Sequence, residues 1–239
     1  MRASRFSILS SPTGIVHLFW KCHNSEYLLN LPNVKKLFFD SLIFGLKHRG
    51  TDNRVKLHAF CLMGNHVHQQ MSFEGGAQAL SHYMRVAHGR FGRLFNTLFR
   101  RSGKVANERP KTPLIGDSDS QMRVHFYIEA NPIRARMVKA EKLRFYIWNS
   151  YRYYAHGEVD DWTAVLTPPQ WYMELGTNSE DRRRAYRKLF RQYLVQAVST
   201  GQRYLTRFIG TALWIKSRED ALRDYLKSQC ITRDRATPS

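Results

Sequence analysis

The stretch Cys61-Leu62-Met63-Gly64-Asn65-His66-Val67-His68-Gln69-Gln70 carries two histidines flanking one apolar residue. On an extended strand, residues two apart share a face, so His66 and His68 project together while Val67 points the opposite way into a core. Two imidazoles on one face make half of a metal site. The plainer alternative is a pair of surface histidines on an edge strand. Further along, Tyr127 and Asn131 are spaced to lie one turn apart on the same face of a helix. An asparagine amide oxygen is a hard ligand that suits Mg²⁺ or Mn²⁺. Two imidazoles and one amide oxygen leave positions open for phosphate oxygens, and a metal so held acts as a Lewis acid on a scissile phosphate. A tyrosine on the same helix face then reaches phosphorus as a nucleophile, giving a covalent intermediate. Free tyrosine has a pKa of about 10, so it needs the metal or a nearby cation, for which His125 and Lys139 are candidates. Taken alone, Tyr127 also reads as a packed helix residue and Asn131 as the end of a helix before Pro132.

The elements that must position these groups are legible as periodicities. Gly14 to Cys22 is β-branched and aromatic and reads as a first strand. Asn30 to Asn33 turns the chain into a helix running to about His48, with Val34, Leu37, Phe38, Leu42, Gly45 and Leu46 at helical spacing. Val55 to Met63 reads as a second strand, Gly64-Asn65 breaks it, and His66 to Phe73 forms a third. A long helix follows from about Ala77 to Asn96, with Leu80, Tyr83, Met84, Ala87, Phe91, Leu94 and Phe95 on one face. Asp117 or Ser118 caps the next helix, which runs to the Asn131-Pro132 step. Strand, helix, strand, strand, helix and a final strand, for which Gly103 to Leu114 is a candidate, give an α+β, ferredoxin-like split β-α-β core with an antiparallel sheet. From Asp160 the composition shifts, with Leu166-Thr167-Pro168-Pro169 as a boundary. Residues 1–159 are therefore read as a catalytic domain and 160–239 as a helical, basic C-terminal extension. Asn178 caps a helix with Tyr186, Leu189, Phe190, Tyr193, Leu194 and Ala197 on its apolar face and Arg183, Arg184, Arg187, Lys188 and Arg191 opposite. A last helix is expected after Ser217, carrying Leu222, Tyr225 and Leu226.

The chain has 239 residues, with 38 Lys+Arg against 19 Asp+Glu and a net charge of +19. Such an imbalance favours a polyanionic partner, nucleic acid first and an anionic membrane surface second; a basic, non-catalytic protein is the plain alternative. Cys22, Cys61 and Cys230 are isolated, which argues against a disulfide framework and fits a reducing, cytoplasmic location. Met1 to Ser11 lacks an apolar leader core, and no run approaches a membrane span.

Leu62-Met63-Gly64-Asn65-His66-Val67-His68, followed by Tyr127-Ile128-Glu129-Ala130-Asn131-Pro132-Ile133-Arg134-Ala135, resembles the single-tyrosine HUH transposases, and within them the REP-associated tyrosine transposases. Trp148-Asn149-Ser150-Tyr151 resembles their W-S-S-Y segment. Tyr172 to Gly176 and Arg183 to Phe190 resemble their C-terminal extension. The resemblance implies a bacterial, nucleoid-associated enzyme with a divalent metal, Mg²⁺ or Mn²⁺, that cleaves single-stranded DNA at a hairpin element. Tyr127 maps onto the nucleophile that takes the 5′-phosphate and releases a 3′-OH, His66 and His68 onto the metal-binding histidines, and Asn131 onto the third, polar ligand. Energy kept in the phosphotyrosine link makes rejoining independent of ATP. The REP-associated branch favours a monomer, with a homodimer as the alternative. Three departures stand out. Gly64 takes the place of a usual proline and frees the backbone before the histidines. Gln69-Gln70 replaces an apolar pair, which makes the third strand less buried or places an amide near the metal. His17 to Asn24 matches the first strand loosely.

Arg100, Arg101, Lys104, Arg134, Arg136 and Arg144 are candidates for DNA phosphate contacts. Aromatic residues between Tyr146 and Tyr154 are suited to stack on unpaired bases, although Trp148 and Tyr151 read first as core residues joining the domain to its extension. Two other readings are a domesticated hairpin-DNA-binding protein without turnover, and a zinc-stabilised module built on His58, Cys61, His66 and His68. The second conflicts with strand alternation, which cannot aim His58 and Cys61 at the same side.

Overall fold

The computed structural model describes residues 10–51, 53–200 and 204–234. Most of the Met1 to Ser11 stretch, up to Leu9, and the side chains of Ala197 and Cys230 lie outside the described residues. The first strand, β1 (Thr13–Lys21), sits at the centre of the sheet. Its alternate residues Val16, Leu18 and Trp20 are buried on one face, where Trp20 packs against Phe38 and Phe91. Those two rings come from α1 (Pro32–Leu46) and α2 (Gly76–Leu98), the helix pair covering that face. Gly45 lets the two helices approach: a Cβ there would meet Ala87 Cβ at 2.8 Å.

The remaining core strands are β2 (Val55–Leu62), β3 (His66–Glu74) and β4 (Leu114–Ile115), in the order β2-β3-β1-β4. All three pairings are antiparallel, and the topology is the expected ferredoxin-like, α+β one. The approach to β4 runs alongside β1 through isolated bridges from Cys22 to Ala106 and from Phe19 to Lys111, so the final strand is shorter than the Gly103–Leu114 candidate. The wholly antiparallel expectation needs one correction. A fifth strand, β5 (Phe208–Ile209), pairs parallel to β4, because the extension returns to the sheet and completes its edge.

The opposite face is covered by α3 (Ser118–Arg134), whose N-cap Asp117 accepts a hydrogen bond from Ser120 N. This helix does not end at Asn131-Pro132. It continues to Arg134 because Pro132, which cannot donate to Ile128 O, is compensated by Asn131 Nδ2 reaching that carbonyl at 3.3 Å. With helices on both faces, β3 is a fully covered strand, and Gln69 and Gln70 are 0% and 1% exposed. The expectation of a less buried third strand is thus overturned. Gln69 accepts from Tyr83 OH at 2.7 Å on the α1–α2 side, and Gln70 Nε2 donates to Gln121 O at 2.7 Å on the α3 side.

The chain then forms α4 (Tyr151–His156), α5 (Gln170–Met173), α6 (Ser179–Thr200) and α7 (Ala212–Asp234). The last starts earlier than Ser217, with Trp214 lying against Gly116 and Gly210. Leu166-Thr167 lies along the edge of β2, with Thr167 N donating to Leu57 O at 2.8 Å. Trp148 stacks on Trp162 at 4.4 Å and Tyr151 packs on Phe190 at 4.7 Å, so both join the sheet region to the extension. On α6, Arg183 and Arg187 share Glu180 and Arg184 pairs with Asp181, so the helix stays net positive. Among the described residues, no helix is long and apolar enough to cross a membrane.

Candidate active site

His66 and His68 lie on the α3-facing side of β3, their ring centroids 5.0 Å apart. The turn that presents them is pinned from outside. Leu29 N donates to Gly64 O at 2.9 Å, Cys22 N to Asn65 O at 2.9 Å, and Met63 N to His66 O at 2.9 Å. The freedom expected of Gly64 is therefore removed by its neighbours. Opposite the histidines, the Tyr127 ring stands edge-on to His68 at 5.5 Å and to His17 at 5.7 Å. The Arg134 guanidinium lies 5.2 Å from the Tyr127 ring centre, and Tyr204 packs on its other side at 5.2 Å. Tyr127 is 5% exposed.

Hydrogen bonds set which atoms of these side chains face the site. His66 Nδ1 is 2.7 Å from Asn65 Oδ1, and Asn65 Nδ2 donates to Ser25 O at 3.1 Å, which fixes the amide orientation. The amide oxygen can only accept, so His66 carries its proton on Nδ1 and presents a bare Nε2. Asn131 Nδ2 donates to Tyr127 O at 2.8 Å as well as to Ile128 O, so the amide nitrogen is taken by the helix and Oδ1 is the amide atom outside these two bonds. Burial lowers the pKa of His66 to about 4, helped by Lys21, and holds that of His68 well below the usual value. At neutral pH both rings are neutral imidazoles, the form that binds metal. The donor set, two bare imidazole nitrogens and an amide oxygen, fits a hard or borderline divalent cation that keeps open positions. Among the described residues no group of three or more His, Cys, Asp or Glu is placed to hold a metal. The zinc-module alternative finds no support: His58 Nδ1 donates to Thr167 O at 2.7 Å, and the Cys61 sulfur is buried against Asn149 and Met63. The glutamine expected near the metal is engaged elsewhere, since Gln70 Oε1 accepts from His125 Nδ1 at 3.1 Å. That bond takes His125 away from Tyr127.

Two residues at this site were missed by sequence reasoning. His17, fully buried on β1, reaches His68 Nδ1 with its Nε2 at 2.8 Å and Tyr204 O with its Nδ1 at 2.7 Å. The available signal was its position in the alternation of β1, on the face opposite Val16 and Leu18. Glu129, fully buried, anchors α3 from behind: its Oε1 accepts from Ser150 Oγ at 2.6 Å, its Oε2 accepts from Tyr186 OH, and its backbone oxygen accepts from Asn149 Nδ2 at 2.8 Å.

The basic candidates fall into three groups. Arg134 lies against Tyr127. Arg100, Lys104 and Arg136 are exposed, with Arg100 and Arg136 at positive φ of 49° and 56°. Arg101 and Arg144 have acidic partners, Glu26 and Glu158.

The sequence matches no family model and no curated protein. In structure, the chain is similar to a REP-associated tyrosine transposase solved bound to a REP hairpin, at 15% identity and a TM-score of 0.50, over 66% of this chain and 89% of that one. At this identity the likeness is one of fold.

Proposed function

We propose that the protein is a metal-dependent endonuclease and strand transferase, a transposase acting on single-stranded DNA at hairpin elements through a 5′-phosphotyrosine. The observation that carries the reading is the edge-on Tyr127 ring 5.5 Å from His68, beside two histidines of one strand face. His66, His68 and Asn131 would hold Mg²⁺ or Mn²⁺, which when bound withdraws charge from the scissile phosphate. Tyr127 Oη gives up its proton and attacks phosphorus, the P–O3′ bond breaks, and the leaving oxygen takes up one proton to become the 3′-OH, so the step is neutral in protons. Arg134, whose guanidinium lies on the Tyr127 ring, places positive charge next to the tyrosine and the incoming phosphate. Walls formed by Phe19, packed 4.9 Å from His68, and by Tyr204 exclude water, so that the tyrosine rather than hydroxide meets phosphorus. The similar fold of a protein solved on a REP hairpin supports hairpin DNA as the partner, and the net charge of +19 supports a polyanion. A monomer acting in the bacterial cytoplasm on the nucleoid completes the reading.

One observation favours a second reading, a hairpin-binding protein without turnover: Tyr127 is 5% exposed and lies between Tyr204 and Arg134. Incubating the purified chain with Mn²⁺ and labelled hairpin oligonucleotides copied from palindromes flanking its gene separates the two. Strand cleavage that disappears in His66→Ala supports the enzyme. Equal hairpin binding by both chains, with no cleavage by either, supports the binding protein.

A further inference from the structure

We propose that His17 is a positioning residue of the metal centre, which passes a tautomer choice from the backbone carbonyl of Tyr204 to the metal ligand His68. The inference rests on the metal reading above. The carbonyl of Tyr204 can only accept, so at 2.7 Å His17 must carry its proton on Nδ1. A neutral His17 then presents a bare Nε2, which also can only accept. At 2.8 Å its partner His68 Nδ1 must therefore be the donor. That leaves Nε2 of His68 without a proton and available to a cation. The two ring planes are 18° from parallel with centroids 5.0 Å apart, a separation that fits two imidazoles meeting nitrogen to nitrogen. His17 is 0% and His68 2% exposed, so water does not compete for either bond.

The chain of bonds joins three parts of the fold: β1, β3 and the segment that leads into β5. That segment supplies no ligand, yet its carbonyl decides which nitrogen of a ligand is bare. His66 has a local counterpart in the amide of Asn65. Both histidines are thus fixed in one tautomer before any metal arrives, by two unrelated acceptors. Orienting partners of this kind typically contribute roughly 10–100-fold to metal affinity.

The test uses the full chain, its His17→Phe variant, which keeps the ring but loses both bonds, and its His17→Gln variant, whose amide can accept from His68 and donate to Tyr204. Long-range ¹H–¹⁵N spectra of the metal-free protein at pH 7.5 report which ring nitrogens carry protons, and Mn²⁺ titration followed by electron paramagnetic resonance reports affinity. The expected spectrum shows His17 and His68 both protonated on Nδ1. The expected affinities fall by roughly 10–100-fold in His17→Phe and recover most of that loss in His17→Gln. A wild-type His68 protonated on Nε2, or a His17→Phe chain that binds Mn²⁺ within twofold of wild type, overturns the proposal. If His17→Phe fails to fold, the wild-type spectrum and the His17→Gln titration still decide it. A wild-type chain that binds no Mn²⁺ overturns the metal reading itself and the proposal with it, a result distinct from unchanged affinity in the variants.

Discussion

Replacing Glu129 by leucine should loosen α3 from the extension, and the size of the effect follows from its partners. The carboxylate is 0% exposed and accepts hydroxyl hydrogens from Ser150 and Tyr186. Leucine is close in volume, so the cavity contribution is small, but Tyr186 OH loses its acceptor away from water, while Ser150 Oγ keeps only the longer bond to Phe60 O at 3.4 Å. An unsatisfied buried donor costs about 1–3 kcal/mol and a weakened bond less, so the two together cost about 3 kcal/mol. Burial, the main reason the Tyr186 hydroxyl sits well above its usual pKa, remains in the variant, so it cannot relieve the loss by ionising. Glutamine keeps an acceptor and can aim its N–H at His125 Nε2, a buried atom without a hydrogen bond, and should cost about 1 kcal/mol. Urea unfolding followed by circular dichroism measures both. With an m-value of about 2–3 kcal/mol/M, the leucine variant should lose about 1 M in midpoint and the glutamine variant under about 0.5 M. A Glu129→Leu chain within about 1 kcal/mol of wild type would refute the argument that these bonds tie α3 to α6.

Other outcomes follow from the same structure. Burial lowers the pKa of His58 from 6.5 to about 4. The unfolded chain therefore binds a proton that the folded chain refuses, and this contribution is complete above about pH 6.5 and is lost as pH falls towards about 4. Between pH 7.5 and 5 it amounts to about 2 kcal/mol, and His58→Gln should flatten the pH dependence of the urea midpoint by that amount; parallel curves would exclude His58 as the source. Hairpin binding that uses about five phosphate contacts should weaken about 500-fold between 50 and 200 mM salt, and Arg136→Ala should lower the log–log slope by about 1. An unchanged slope removes Arg136 from the interface.

Much of this arrangement was readable from residue order, for physical reasons that also explain the rest. The period-two pattern of β1 and β3 and the helical spacing of α1 and α2 are local signals, and they give four strands in a ferredoxin-like order. His66 and His68 share a face by strand geometry alone, and Tyr127 and Asn131 by helix geometry. His17 was not readable, because its role depends on the pairing of Phe19 with His68 across two strands. The Tyr204 carbonyl was less readable still, since a backbone atom leaves no residue-type signal. Gln69 and Gln70 misled because polarity was taken for exposure, whereas Tyr83 donates to the Gln69 oxygen and Gln121 and His125 engage both ends of the Gln70 amide inside the fold. Pro132 misled in the same way, since a side-chain donor one residue before it repaired the helix.

The account stands on Tyr127 as the residue that takes the phosphate. Wild type and Tyr127→Phe, each incubated with Mn²⁺ and a single strand bearing a flanked hairpin and then denatured, are to be compared by intact mass and by peptide mapping of any adduct. The account predicts a wild-type species heavier by the downstream DNA fragment, with the phosphate on Tyr127, and no such species in Tyr127→Phe. An adduct that persists in Tyr127→Phe, on Tyr146, Tyr151, Tyr153 or Tyr154, or a wild type that binds the hairpin tightly and never becomes attached, would contradict it.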